Sequence, residues 1–169
     1  MLKFARENRV VGFFATLIRI YLGYTWITNS WAKISAGGFD ATGFMQGAIA
    51  NSRGENPAVY SWWANFLETV ALPNGELFSF MVMWGEFLVG LALIIGLLTQ
   101  FALIMGILMN ASFILSGASY PDIQMLILAL ILIVCVQNAY KIGLDRWALP
   151  YLRTLIKKIS FSGKMNKSI

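Results

Sequence analysis

The stretch 82-VMWGEFLVGLALIIGLL-98 decides how this chain is read. Every residue in it is apolar or glycine except Glu86. So apolar a run predicts a helix in hydrocarbon, where a central charge costs about 2.5–3.5 kcal/mol on insertion scales. Glu86 therefore needs a partner or a task.

The surrounding composition places that helix in a membrane. Of the 169 residues 58% are hydrophobic and 12% charged, where soluble domains carry roughly 25% charged residues. Mean hydropathy is +0.67. Cys135 is the one cysteine, which excludes an internal disulfide, a CxxC pair and a cysteine-framed metal cluster. Histidine is absent, which removes the usual axial ligands of haem b and any His-based zinc or copper site. No haem, metal or iron–sulfur cluster is expected; redox chemistry would need an organic cofactor or a partner subunit.

A spanning helix takes about 20 mainly apolar residues. Four candidates follow: 10–34, 77–98, 101–117 and 123–140. Thr99-Gln100 predicts a tight connection between the second and third, and Ser119-Tyr120-Pro121-Asp122 a turn before the fourth. The first span continues through Tyr24, Trp26 and Trp31, past the length of a signal-peptide core, so a retained anchor is expected. The fold class expected is all-α: an integral membrane four-helix bundle with an outer interfacial helix in the first loop. The chain divides into a basic segment 1–9, a membrane domain 10–153 and a basic tail 154–169.

Basic residues give the orientation. Lys3, Arg6 and Arg9 precede the first span, and Lys141, Arg146, Arg153, Lys157, Lys158, Lys164 and Lys167 follow the fourth. The 35–76 loop holds Arg53 against Asp40, Glu55, Glu68 and Glu76. Both termini are thus expected in the cytoplasm and the loop outside. The net charge of +5 is explained by topology, with the tail near anionic headgroups; no nucleic-acid partner is expected.

Within the loop, Asn56-Pro57 predicts a helix start. Val59, Trp62, Trp63, Phe66, Leu67 and Val70 then make an apolar stripe, giving an interfacial helix over 57–71. It serves either as a loop anchored by aromatics or as a lid. A further helix is expected to begin near Asp40.

Arg19, Glu86 and Asn110 each fall nine residues into a span, which at about 1.5 Å per residue puts all three near the midplane. Arg19 is the expected partner of Glu86, with Asn110 satisfying a leftover donor or acceptor. The pair can fix helix register alone or form a functional site. Gly12, Arg19, Trp26 and Lys33 recur every seven residues, with Asn29 near that face and Tyr21 and Tyr24 about a turn away. The stripe suggests an aromatic-lined polar cleft, although Trp31 and Lys33 also fit as interfacial anchors. Gly85, Gly90, Gly96, Gly106, Ser112, Ser116 and Gly117 predict close helix packing. Gln137 and Asn138 suit an inner vestibule.

Three segments, 19-RIYLGYTWITNSWAKISAGGFDATGF-44, 84-WGEFLVGLALIIGLLTQFALIMGILMNASFILSG-117 and 143-GLDRWALP-150, resemble the DoxX family, including the DoxD-like small subunit of thiosulfate:quinone oxidoreductase. The carriers are Arg-x-x-x-Gly at 19–23, Gly-Glu-x-x-x-Gly at 85–90 and the terminal Gly-Leu-Asp-Arg-Trp. The resemblance implies a four-span prokaryotic cell-membrane protein, with Arg19, Gly23, Lys33, Glu86, Gly90 and Asn110 at family-type positions. Some relatives pass electrons from sulfur compounds to quinone, others are linked to oxidative-stress complexes, and many have no assigned activity.

The expected function is a quinone-associated subunit of a membrane oxidoreductase complex, so enzyme activity rests on a separate partner subunit. Glu86 and Arg19 are the catalytic candidates; Asn110, Trp26, Tyr24 and Lys33 are the cofactor-binding ones. Trp26 would stack on the quinone ring and Glu86 exchange its proton. The alternative is a non-catalytic membrane anchor or assembly factor that recruits a soluble enzyme. Transport ranks last, because four short spans would need a homo-oligomer.

Overall fold

The computed structural model describes residues 8–53, 55–135, 143–148, 150, 151 and 154. Helix α1 is Arg9–Ser35, α2 Thr42–Ala50 and α3 Ser61–Phe66. A π-helical turn, Leu67–Ala71, and a 3₁₀ turn, Leu72–Asn74, lead into α4, Gly75–Ile95. Helices α5, Thr99–Leu115, and α6, Asp122–Val134, follow. The described residues are helical with no strand.

Helix α1 starts where Asn8 Oδ1 accepts from the amides of Val10, 2.8 Å, and Val11, 3.4 Å, covering two of the unpaired amides of a first turn. The run from Ser61 to Ile95 and α1 are each long and apolar enough to cross a membrane; α5 and α6 are shorter apolar helices. The later part of the expected fourth span, with Gln137 and Asn138, lies outside the described residues, as do most of the basic tail and the first seven residues. Large apolar side chains face outward around the long helices: Phe13 is 57% exposed, Phe80 59% and Phe101 62%. A belt of that kind suits lipid rather than water. The chain is a membrane protein.

Helix α1 packs most extensively on α4; α4 also meets α5, α5 meets α6, and α6 returns to α1. The α1–α4 contact is backbone on backbone. A Cβ at Gly90 would lie 2.8 Å from Gly23 O and 2.9 Å from Ile27 N, and one at Gly23 would lie 2.9 Å from Gly90 O. Glycines let two membrane helices approach this closely. Between helices, Leu22, Trp26, Leu93, Leu103, Met125 and Leu132 fill the core.

The α4–α5 connection is Gly96-Leu97-Leu98, and Thr99 and Gln100 already belong to α5. This moves the expected turn back by three residues. Gly96 ends α4 at φ 69°, and Leu98 stands at φ 53°, a left-handed conformation costly for a residue with a side chain. Asp145, far along the chain, holds it: its carboxylate accepts from Leu98 N at 2.7 Å and Thr99 N at 2.8 Å. Asp145 N also donates to Gly96 O at 2.7 Å. Thus the terminal Gly-Leu-Asp motif clamps the α4–α5 turn and caps α5 from outside.

At the opposite end, residues 39–53 and 55–78 form a cap with its own small core: Ala41, Met45, Ala48, Val59, Leu67 and Ala71. The α2 start follows the expectation at Asp40, whose carboxylate accepts from Thr42 N and Oγ1. Those bonds hold the Asp40 carboxyl below its ordinary range. The expected helix over 57–71 is shorter: α3 begins at Ser61, because residues 57–60 run on to bury Val59 in the cap core. Its inward stripe is Ala64, Leu67 and Ala71, while Trp62 is exposed. Phe66 and Phe78 are twelve residues apart, about 18 Å along a straight helix, yet their ring centroids lie 6.5 Å apart. The chain therefore bends through the π and 3₁₀ turns, where Pro73 removes a backbone donor.

A Gly90→Ala substitution should destabilise by about 1–3 kcal/mol, since backbone on α1 cannot swing aside. Gly85→Ala should be close to neutral, because its Cβ would meet only the flexible end of Met109 at 3.4 Å. Thermal unfolding in detergent checks this; equal losses for the two variants would refute the close crossing.

Candidate functional site

The Gly23–Gly90 crossing gives a common height from which the charged residues can be placed. Helices α1 and α4 run antiparallel. Lys33 lies ten residues toward the cap, about 15 Å, and Glu86 lies four residues toward the cap, about 6 Å. Arg19 lies about 6 Å on the other side, toward the α4–α5 turn. Side chains on a helix lean toward its N-terminus. Lys33 therefore leans away from the cap and Glu86 toward it, and the two meet. Arg19 leans the other way, toward the turn.

The resulting pairs correct the expected one. Lys33 Nζ donates to Glu86 Oε1 at 2.6 Å. Arg19 is about 12 Å in height from Glu86, and its guanidinium occupies the space left by the missing side chains of Gly96 and Gly143. There Asp145 is the carboxylate acting on it. The expectation failed because it measured each residue from its own helix end. Those ends are not level: α1 has 27 residues and α4 has 21.

The other candidates separate too. Trp26 is 3% exposed and packs over Gly106, in the core rather than against a cleft. Tyr24 is 62% exposed on the outside of α1. Asn110 is wholly buried, and neither its Oδ1 nor its Nδ2 has a hydrogen-bond partner among the described residues. Of the six candidates, Lys33 and Glu86 come together and share a cavity.

That cavity measures about 1320 Å³ and lies under the cap, running down the seam between α4 and α5. Its walls are mostly apolar and aromatic, with Phe39, Trp63, Phe66, Trp84 and Phe113 among them. Trp63 Nε1 donates to Ser116 Oγ at 2.8 Å, tying the cap to the end of α5. Lys33 Nζ stands 4.6 Å from the Phe39 ring centroid, a cation–π contact that holds the ammonium at the rim. Ligand sites are commonly apolar cavities carrying a few convergent polar groups. Here Lys33 has three donors, of which its hydrogen bond to Glu86 uses one. Glu86 Oε2 is buried without a hydrogen-bond partner among the described residues.

Asp122 was missed as a site residue. It lines the same cavity and acts electrostatically on both Lys33 and Glu86. Its position in a turn signal concealed it; the usable signal was an acid opening a mainly apolar helix. The DoxX family model matches residues 14–118, which include Arg19, Lys33, Glu86 and Asn110. No curated protein and no solved structure matches the chain.

Replacing Lys33 by Leu leaves a buried carboxylate without its cation and should cost about 3–5 kcal/mol. Glu86→Leu should cost less, since the Lys33 side chain, 23% exposed, can turn outward. The double variant should recover much of the loss, whereas Arg19→Leu with Glu86→Leu should be additive. Folded yield and unfolding temperature measure both cycles. Additivity between Lys33 and Glu86 would sink the pairing.

Proposed function

The chain belongs to the DoxX family, and on that premise we propose that this membrane protein is a quinone-associated subunit of a membrane oxidoreductase complex. In this reading four helices span a prokaryotic cell membrane, both termini are cytoplasmic and the cap lies across the outer interface. The observation that carries the reading is the Lys33–Glu86 pair in the wall of an apolar, aromatic-lined cavity. The lining residues Leu88, Phe101 and Leu108 also belong to the lipid-facing belt, so the cavity opens sideways to the bilayer. A lipid-soluble ring with a polar edge fits such a place.

The residues suit both faces of that ligand. Lys33 can donate to a ring carbonyl. The unpartnered Glu86 Oε2 can accept from a ring hydroxyl and take up or release its proton. Phe39, Trp84 and Phe113 can flank the ring, and the α4–α5 seam can hold an isoprenoid tail. When bound, a quinone accepts two electrons and two protons; the electrons come from a separate subunit that oxidises a reduced substrate, such as a sulfur compound. Arg19, held at the turn, has a structural role in this scheme.

In lipid nanodiscs, ubiquinone and menaquinone analogues should quench the tryptophan fluorescence saturably, since Trp63 and Trp84 line the cavity. Glu86→Gln and Lys33→Met should each weaken binding at least about tenfold, or 1.4 kcal/mol. Tyr21→Phe, on the outer face, should not. An absence of saturable binding, or equal affinity in both site variants, would leave the chain as a non-catalytic anchor.

A further inference from the structure

Glu86 Oε2, Asn110 Oδ1 and Asn110 Nδ2 are all buried without a hydrogen-bond partner among the described residues. The register of α4 against α5 brings them to one level. A Cβ at Gly85 would touch the end of Met109, and one at Gly106 would touch Val89, each at 3.4 Å. Glu86 and Asn110 each lie one residue beyond the first of these contacts. On antiparallel helices they therefore stand within about 3 Å of each other in height. Glu86 leans toward the cap and Asn110 away from it, each toward its own helix N-terminus, which closes that offset. Both face the bundle interior, Glu86 2% exposed and Asn110 0%. The two oxygens of a carboxylate point apart, so with Oε1 held by Lys33 at the rim, Oε2 is turned inward.

Polar atoms this far enclosed are costly unless they are hydrogen-bonded. The amide and the carboxylate make no direct bond to each other. Convergent buried groups beyond direct reach are the setting in which proteins hold an internal water. From this arrangement we infer that Glu86 and Asn110 together bind one buried water, through which Asn110 positions the Glu86 carboxylate. The water donates to Oε2 and accepts from Nδ2. An amide suits the task because it brings a donor without adding a charge. Oε2 has two lone pairs, so the water leaves one for a ring hydroxyl. Asn110 lies outside the cavity lining and acts on a ligand only through Glu86. The inference deepens the quinone reading and rests on it for its purpose, but the water itself needs no quinone.

A crystal structure of quinone-free protein grown in lipid, at a resolution that shows ordered waters, should place a water within hydrogen-bond distance of both Oε2 and the Asn110 amide. A gap without density, or a direct amide–carboxylate bond, would overturn the inference. In nanodiscs, infrared spectra follow the Glu86 carboxyl band, which is the one that Glu86→Gln removes. Asn110→Leu should shift that band. Asn110→Ser, which keeps a hydroxyl for the water, should return it toward the wild-type position. Asn110→Ala carries the same expectation as Asn110→Leu should the latter not fold. A band unmoved by loss of the amide, or moved as far by Asn110→Ser as by Asn110→Leu, would also overturn it. Quinone titration of the same samples is read separately: wild type that binds no quinone ends the quinone reading, while the density and the band still decide the water.

Discussion

The backbone contact between Gly23 and Gly90 sets the relative heights of the charged residues on α1 and α4. With no side chain at either residue, α1 and α4 lie close enough that neither can slide without collision. Two antiparallel helices locked at one height have fixed offsets for every other residue. The lean of helical side chains then converts those offsets into partners. Lys33 and Glu86 approach each other on the cap side, and Arg19 is carried to the turn on the other.

The sequence alone made the helices legible, and for physical reasons. Long apolar runs bounded by Gly, Pro and Asp leave little choice of secondary structure, and the expected spans agree with α1, α4 and α5 to within a few residues. Small residues marked the close crossing correctly at Gly90. The seven-residue stripe Gly12, Arg19, Trp26 and Lys33 does face inward, with Lys33 only partly covered. Less legible was anything that depends on a tertiary offset. The height of α4 against α1 is set by a glycine contact, not by helix length, so counting residues from helix ends joined the wrong cation to Glu86. The cap failed for a related reason: Val59 and Trp62 share a period, but burial of Val59 in a separate core delays the helix start.

The two basic residues of α1 now have different surroundings, and the difference bears on function. Around Arg19 the space is filled: Gly96 and Gly143 lie against the guanidinium, and Asp145 has committed both oxygens to the amides of Leu98 and Thr99. That arrangement stabilises a left-handed turn at Leu98 and fastens residues 143–145 to the end of the helices. Around Lys33 the arrangement is open, with spare donors, an unsatisfied carboxylate oxygen and a large cavity.

A charge pair that served only to fix register would be expected to have its oxygens satisfied, as those of Asp145 are, because every unsatisfied buried polar atom costs about 1–3 kcal/mol. The Lys33–Glu86 pair carries that cost at Oε2 and lies in the wall of a large apolar cavity. Stability does not account for that unsatisfied oxygen. A residue set kept under-satisfied next to a cavity that reaches the lipid is what a site for a polar-headed, lipid-soluble ligand requires. The cap above it is tied to α5 through Trp63 and Ser116.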